Sequence, residues 1–189
     1  MVRALISLLF LAASLFLGFQ IYESVKEQLD FSKFSGERKG EVIGKLKTIR
    51  DAQIVYRENH NKYASSFDSL KMSIKSENFN VFKKIGDPND TTVVSRVDTI
   101  VVPIIDSLFK GDVAAVDAMD VVPNGNGAKF SMEAGIITKN EMELPAFEAK
   151  TQYKHFYDGL ERRYYWEVAD DYIQVGSLDD GTTSGNWKE

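Results

Sequence analysis

ALISLLFLAASLFLGFQI, residues 4–21, runs without a proline into YESVKEQLDFSKFSGERKGEVIGKLKTIRDAQIVY, residues 22–56, and this join decides the fold. The first part is 18 residues long, carries no charge and has only Ser7, Ser14 and Gln20 as polar members. At about 1.5 Å rise per residue it reaches roughly 27 Å, close to the ~30 Å hydrocarbon core of a bilayer. A cleaved secretory signal is the alternative, and it asks for a shorter apolar core followed by a small-residue cleavage site. The small cluster Ala12-Ala13-Ser14 lies inside the apolar run instead. An uncleaved single span is therefore expected. Arg3 precedes it and the mixed set Glu23, Lys26, Glu27 and Asp30 follows, so the positive-inside tendency places residues 1–3 in the cytoplasm and everything beyond about residue 22 outside it. A lipoprotein signal is excluded because there is no cysteine to acylate.

Composition fits an anchor plus one modest domain. Of 189 residues, about 130 lie beyond the anchor and stalk, enough for one core. Aromatic residues make up 12% and charged residues 27%, which suits a globular rather than a disordered chain. The net charge of −5 argues against nucleic acid, which asks for a basic face. Without cysteine there are no disulfides or thiolate metal sites, and two histidines, His60 and His155, do not make a histidine-rich one.

Past the anchor, Ile21, Val25 and Leu29 repeat at a spacing of four. The pattern resumes as Val42, Leu46, Ile49, Gln53 and Tyr56, widened by Ile43 and Ala52, which is helical periodicity. Between the two halves Gly36, Gly40 and Gly44 line one helical face. They either admit a second helix at close range, as in small-xxx-small packing, or loosen the helix at about 1 kcal/mol each relative to alanine. In both cases this segment is the expected place for a kink or a melted turn. The helix should stop just after Glu58, with Asn61 taking the left-handed conformation that closes it. Ser65 or Ser66 is placed to cap a short helix running to about Lys75.

The stretch from Tyr56 onward resembles the end of the first helix in type IV pilin-like proteins, in particular the major pseudopilins of type II secretion. That pattern reads tyrosine, basic, variable, aspartate, asparagine, glycine, basic, tyrosine, proline and a threonine pair. Tyr56, Arg57, Lys62 and Tyr63 match it; Asn61 stands at the glycine, Ala64 at the proline and Ser65-Ser66 at the threonines. The tail VGSLDDGTTSGNWKE is similar to the pseudopilin terminus at Ser177, Leu178, Asp180, Gly181 and Gly185-Asn186-Trp187. In that family the terminal loop commonly holds calcium. The resemblance therefore implies Asp179 and Asp180 as candidate ligands, joined by the carbonyl of Leu178 or Ser184. Read without the resemblance, Asp-Asp-Gly is an ordinary turn. The family's prepilin leader and its glutamate in the apolar stretch have no counterpart: Gly18 is too deep, and residues 4–21 contain no acid. The first 21 residues are accordingly expected to serve as a tether.

The remainder reads as antiparallel β. Thr91–Ile105 is rich in β-branched residues after the turn Asp87-Pro88-Asn89-Asp90, with Pro103 marking an edge or an end. Residues 106–120 favour a short helix over a loop. Asn124-Gly125-Asn126-Gly127 is a turn, followed by strands near 129–138 and 143–151 across Lys139-Asn140-Glu141. A last hairpin is expected to pair 162–168 with 172–176. No nucleophile elbow, phosphate-binding glycine loop or metal-ligand histidine pair is present. His155, among Tyr153, Tyr157, Tyr164 and Tyr165, reads as structural or surface rather than catalytic. Those aromatics either cover the sheet against the helix or form a contact surface.

The expected fold class is α+β, a long N-terminal helix of anchor plus stalk packed on a small antiparallel sheet in a pilin-like layout. Residues 1–21 form the anchor, 22–60 the stalk and 61–189 the exported domain. The resemblance implies a non-enzymatic structural subunit of a bacterial secretion, pilus or motility assembly. It would sit in the inner membrane with its domain periplasmic or extracellular, and its partners would be itself or related pilin-like subunits. Gly36, Gly40, Gly44, Val42, Leu46, Ile49 and Tyr56 are the candidate helix-packing residues, and Asn61 and Tyr63 the turn. A monomeric tethered binding module, with the helix as a plain stalk, is the alternative.

Overall fold

The computed structural model describes residues 2–85, 96–139 and 141–187. The chain is α+β. One helix, α1 (Val2–His60), precedes α2 (Phe67–Ser76), the strands β1 (Asn78–Ile85) and β2 (Arg96–Pro103), and the short helices α3 (Ile104–Phe109) and α4 (Val113–Asp117). Then come β3 (Ser131–Lys139), β4 (Met142–Gln152), one helical turn α5 (Tyr153–Phe156) and β5 (Tyr172–Gly176). β1 and β2 form an antiparallel pair in which Asn78 faces Pro103, and β3-β4-β5 form a second antiparallel sheet in that order.

α1 runs as helix through the three glycines, so the expected melted turn does not occur. Val42, between the last two of them, and Leu46, Ile49 and Ala52 beyond are sealed into the core. Arg38, in their midst, donates from Nη1 to the carbonyls of Phe156 (3.1 Å) and Asp158 (2.6 Å). Fixing the helix to the domain on its inner face offsets what three glycines cost on the outer one. Burial thus begins at Ser35, and the part of α1 from there onward belongs to the domain rather than to a free stalk.

α1 closes as its sequence requires. Asn61 has φ 57 and donates its N–H to the Arg57 carbonyl at 2.8 Å. Buried Gln53 clamps the returning chain, its amide giving and receiving 2.9 Å hydrogen bonds with the backbone of Ala64. Tyr63 then packs on Phe147 with ring centroids 4.7 Å apart. Ser66 caps α2 by accepting from the Ser69 N–H. The turn at residues 124–127 has Asn124, Asn126 and Gly127 at positive φ, the conformation that Asn and Gly tolerate.

Three readings need correction or completion. Residues 162–168 are not a strand: a 3-10 turn (Arg162–Tyr164) leads into further turns, and β5 pairs with β4. The aromatic run looked strand-like, but Tyr165 turns inward, and Ala169 and Asp171 give their carbonyls to the N–H groups of Lys154 and Tyr153. β1 was not anticipated, because Asn78 and Asn80 are poor strand residues. The Asp87–Asp90 turn, residues 91–95 and Asn140 lie outside the described residues. Residues 106–120 hold the end of α3 and all of α4, and Pro103 ends β2.

Candidate functional site

The feature with functional content is the anchor helix and the seat that receives it. Leu8, Leu9, Phe10, Leu11, Leu15, Phe16, Leu17 and Phe19 are all exposed, so nothing among the described residues covers the apolar run. By length and composition this helix can cross a membrane. Ile21, Tyr22, Val25, Leu29 and Phe34 continue the exposed apolar surface toward the domain.

The seat is aromatic. Phe31 stacks on Tyr164 (centroids 5.1 Å) and Tyr165 (6.3 Å) and meets Tyr157 edge-on (6.1 Å). One turn earlier, Glu27 pairs with Arg163. The tyrosine cluster therefore covers the helix rather than forming a separate contact face. Burial, with the neighbouring Tyr153, pushes the Tyr157 phenol up, against a hydrogen bond from Ser35 that acts the other way. This collar was missed in the sequence because Phe31 sits where the helical stripe loses definition.

The candidate packing residues divide in two. Val42, Leu46 and Ile49 are buried in the chain's own core, and Tyr56 is partly buried against it. Gly36, Gly40 and Gly44 face outward, and a methyl group added to any of them would meet nothing within 4 Å. Asn61 and Tyr63 form the turn as described above, with Arg57 Nη1 donating to the Tyr63 hydroxyl at 2.9 Å.

Below the seat a buried charge holds the loop after α4. Asp120 pairs with Lys71 (2.5 Å) and Lys129 (2.8 Å), while Lys45 donates to the carbonyls of Ala118 (2.6 Å) and Val121 (2.9 Å). Burial alone would raise the Asp120 carboxyl, but the hydrogen bonds from Lys129 and Lys71 outweigh it and hold it below the usual range. For Lys45 burial dominates and lowers its pKa. Each charge here is bonded within the fold, which is the pattern of structural polar groups.

The tail closes one sheet edge. Gly176 and Ser177 donate to the carbonyls of Ser184 and Thr182 (both 3.0 Å), and Asn186 exchanges hydrogen bonds with the backbone of Gln174 and donates from Nδ2 to the Tyr172 carbonyl. Gly176, at φ 75, lies so close to Phe147 that a Cβ would strike its carbonyl oxygen. The loop carrying Asp179 and Asp180 is fixed by hydrogen bonds of its own. The Ser177 hydroxyl accepts from the N–H groups of Asp179 and Asp180, and the Lys139 ammonium occupies the Asp180 carbonyl at 2.7 Å. No group of three or more His, Cys, Asp and Glu side chains suited to a metal ion occurs among the described residues. His155 Nδ1 lies 3.0 Å from the Thr151 hydroxyl, a local structural contact.

Comparison with protein-family models, with curated proteins and with solved structures found no match.

Proposed function

We propose that this chain is a non-enzymatic, membrane-anchored structural subunit of pseudopilin-like design, serving a bacterial secretion, pilus or motility assembly. Residues 4–21 are held in the inner membrane with the amino terminus cytoplasmic and the domain on the periplasmic or extracellular side. One observation carries this reading: a single 59-residue helix is uncovered and apolar over residues 6–21 and is built into a domain core from Val42 onward. The Asn61 closure, the Tyr63 packing and the edge-closing Gly185-Asn186-Trp187 tail support the pilin-like part. Assembly then uses the outward glycine face and the exposed Leu29 and Phe34.

The burial of Val42, Leu46 and Ile49 favours a second reading. The stalk's strongest aliphatic stripe is consumed inside the monomer, as in a tethered module that works alone.

Cysteine crosslinking separates the two, since the chain has no cysteine of its own. Gly40→Cys and Gly44→Cys in membranes should give crosslinked dimers, whereas Lys62→Cys at the far end of the helix should not. Monomers at all three positions, with monomeric mass in mild detergent, would favour the tethered module.

A further inference from the structure

We propose that the turn segment 159–166 is a membrane-surface contact, resting the domain on the phospholipid headgroup layer instead of letting it swing at the end of a stalk. The proposal rests on the reading of residues 4–21 as a span. Glu27 lies six residues beyond Ile21, about 9 Å along the helix. A headgroup layer extends roughly 5–8 Å past the hydrocarbon on each side. The side chains that meet Glu27, those of Arg163 and Tyr164, therefore stand at its outer boundary. No other part of the described domain is joined by a hydrogen bond or ion pair to α1 so near the apolar run.

The segment is rigid enough to be placed there. Leu160, Tyr164, Tyr165 and Val168 donate backbone hydrogen bonds to the carbonyls of Tyr157, Glu161, Arg162 and Tyr165, between 2.9 and 3.1 Å, and Arg38 holds the carbonyls just before it. Its inward residues are spent on Phe31. Trp166 is left 64% exposed, next to a tyrosine that is buried. An indole has an apolar body and one N–H donor, the combination enriched at membrane interfaces, where one end is dry and the other wet. Tyr22, also exposed, lies on the helix about 7.5 Å nearer the apolar run than Glu27, within the headgroup layer itself. Residues 158–167 hold two arginines against Asp158, Glu161 and Glu167, so the contact is interfacial and aromatic rather than an attraction of a basic patch to anionic lipid.

The test uses the full chain in bilayers containing lipids brominated at a shallow or a deep acyl position, read by tryptophan fluorescence. Trp166 and the half-buried Trp187 are the two emitters. Shallow bromines should quench the intact protein, Trp166→Phe should abolish that loss, and replacing a neutral bilayer by an anionic one should leave it unchanged. Leu11→Trp in the Trp166→Phe background reports the span through quenching by deep bromines. Quenching at Leu11→Trp without quenching of Trp166 would overturn the surface contact alone. No quenching at either position would overturn the span and the contact together. Quenching of Trp166 that appears only in anionic bilayers would overturn the aromatic basis.

Discussion

Residues 6–29 and residues 42–55 belong to the same uninterrupted helix, and their apolar side chains meet opposite fates. In the first segment leucine and phenylalanine point outward in all directions and find no partner among the described residues; in the second, aliphatic residues recur every three or four positions and every one of the stripe is buried. Helix propensity does not distinguish the two. What differs is the pattern: a helix apolar all round has the character of a membrane span or a wholly buried helix, and one with a single apolar stripe belongs against a sheet. Charged residues from Glu23 to Arg38 mark the change, and the Glu27–Arg163 pair followed by the Phe31 collar is where the domain takes hold of the helix.

The sharpest way to break this comparison is to place the same charge in each segment. Leu46→Glu buries an unpaired carboxylate and should cost more than about 4 kcal/mol, enough to unfold the domain. Loss of oligomers in that variant would therefore say nothing about assembly, and assembly has to be probed from exposed positions. Phe34→Glu should leave the domain's melting within about 0.5 kcal/mol of the parent. Thermal unfolding by near-ultraviolet circular dichroism compares them directly.

Asp120→Ala is the next largest effect, expected at about 1–3 kcal/mol by denaturant unfolding, because it leaves the Lys71 ammonium without its partner. The same site gives a pH dependence. The Asp120 and Glu77 carboxyls are both held below their ordinary values: burial opposes this in each, and hydrogen bonds from Lys129 and Lys71, or from Asn59 and His60, prevail. A depressed folded value contributes stability that is complete above the unfolded value of about 4 and is lost as the pH falls through the lowered one. Stability should hold from pH 7 to 5 and fall below 4, and Asp120→Asn should flatten part of that fall.

The smallest effect is the most informative about the outer face. Gly40→Ala meets nothing within 4 Å and removes a helix-interior glycine, so the monomer should gain up to about 1 kcal/mol. A gain in monomer stability together with weaker crosslinking at Gly44 would mark this face as a packing surface; a gain with crosslinking unchanged would mark it as plain solvent surface.

Much of the layout was legible because local chemistry dictated it. The proline-free helix, its Asn61 closure, the Ser66 cap, the turn at 124–127 and the β3-β4 hairpin each follow from residues within a few positions of one another. The failures share the opposite cause. Residues 162–168 have the aromatic content of a strand, and only a partner more than a hundred positions away, Phe31, turns them inward. The glycine segment reads as weak, and only Arg38 reaching the carbonyls of Phe156 and Asp158 shows why it stays helical. Gln53 looked like one more member of a stripe, while its use as a clamp depends on Ala64 arriving beside it. Of the candidate site, the anchor could be read from composition, but its aromatic seat depends on tertiary contacts that no spacing reveals.

The central claim, that one helix is divided between lipid and protein core, is tested most directly by single-cysteine accessibility along α1 in intact bilayers, using a membrane-impermeant maleimide. Cysteines at Leu11 and Leu15 should stay unreactive until detergent is added, one at the exposed Glu58 should react at once, and one at Leu46 should react only on denaturation. Immediate reaction at Leu11 and Leu15 in the intact bilayer would contradict the account.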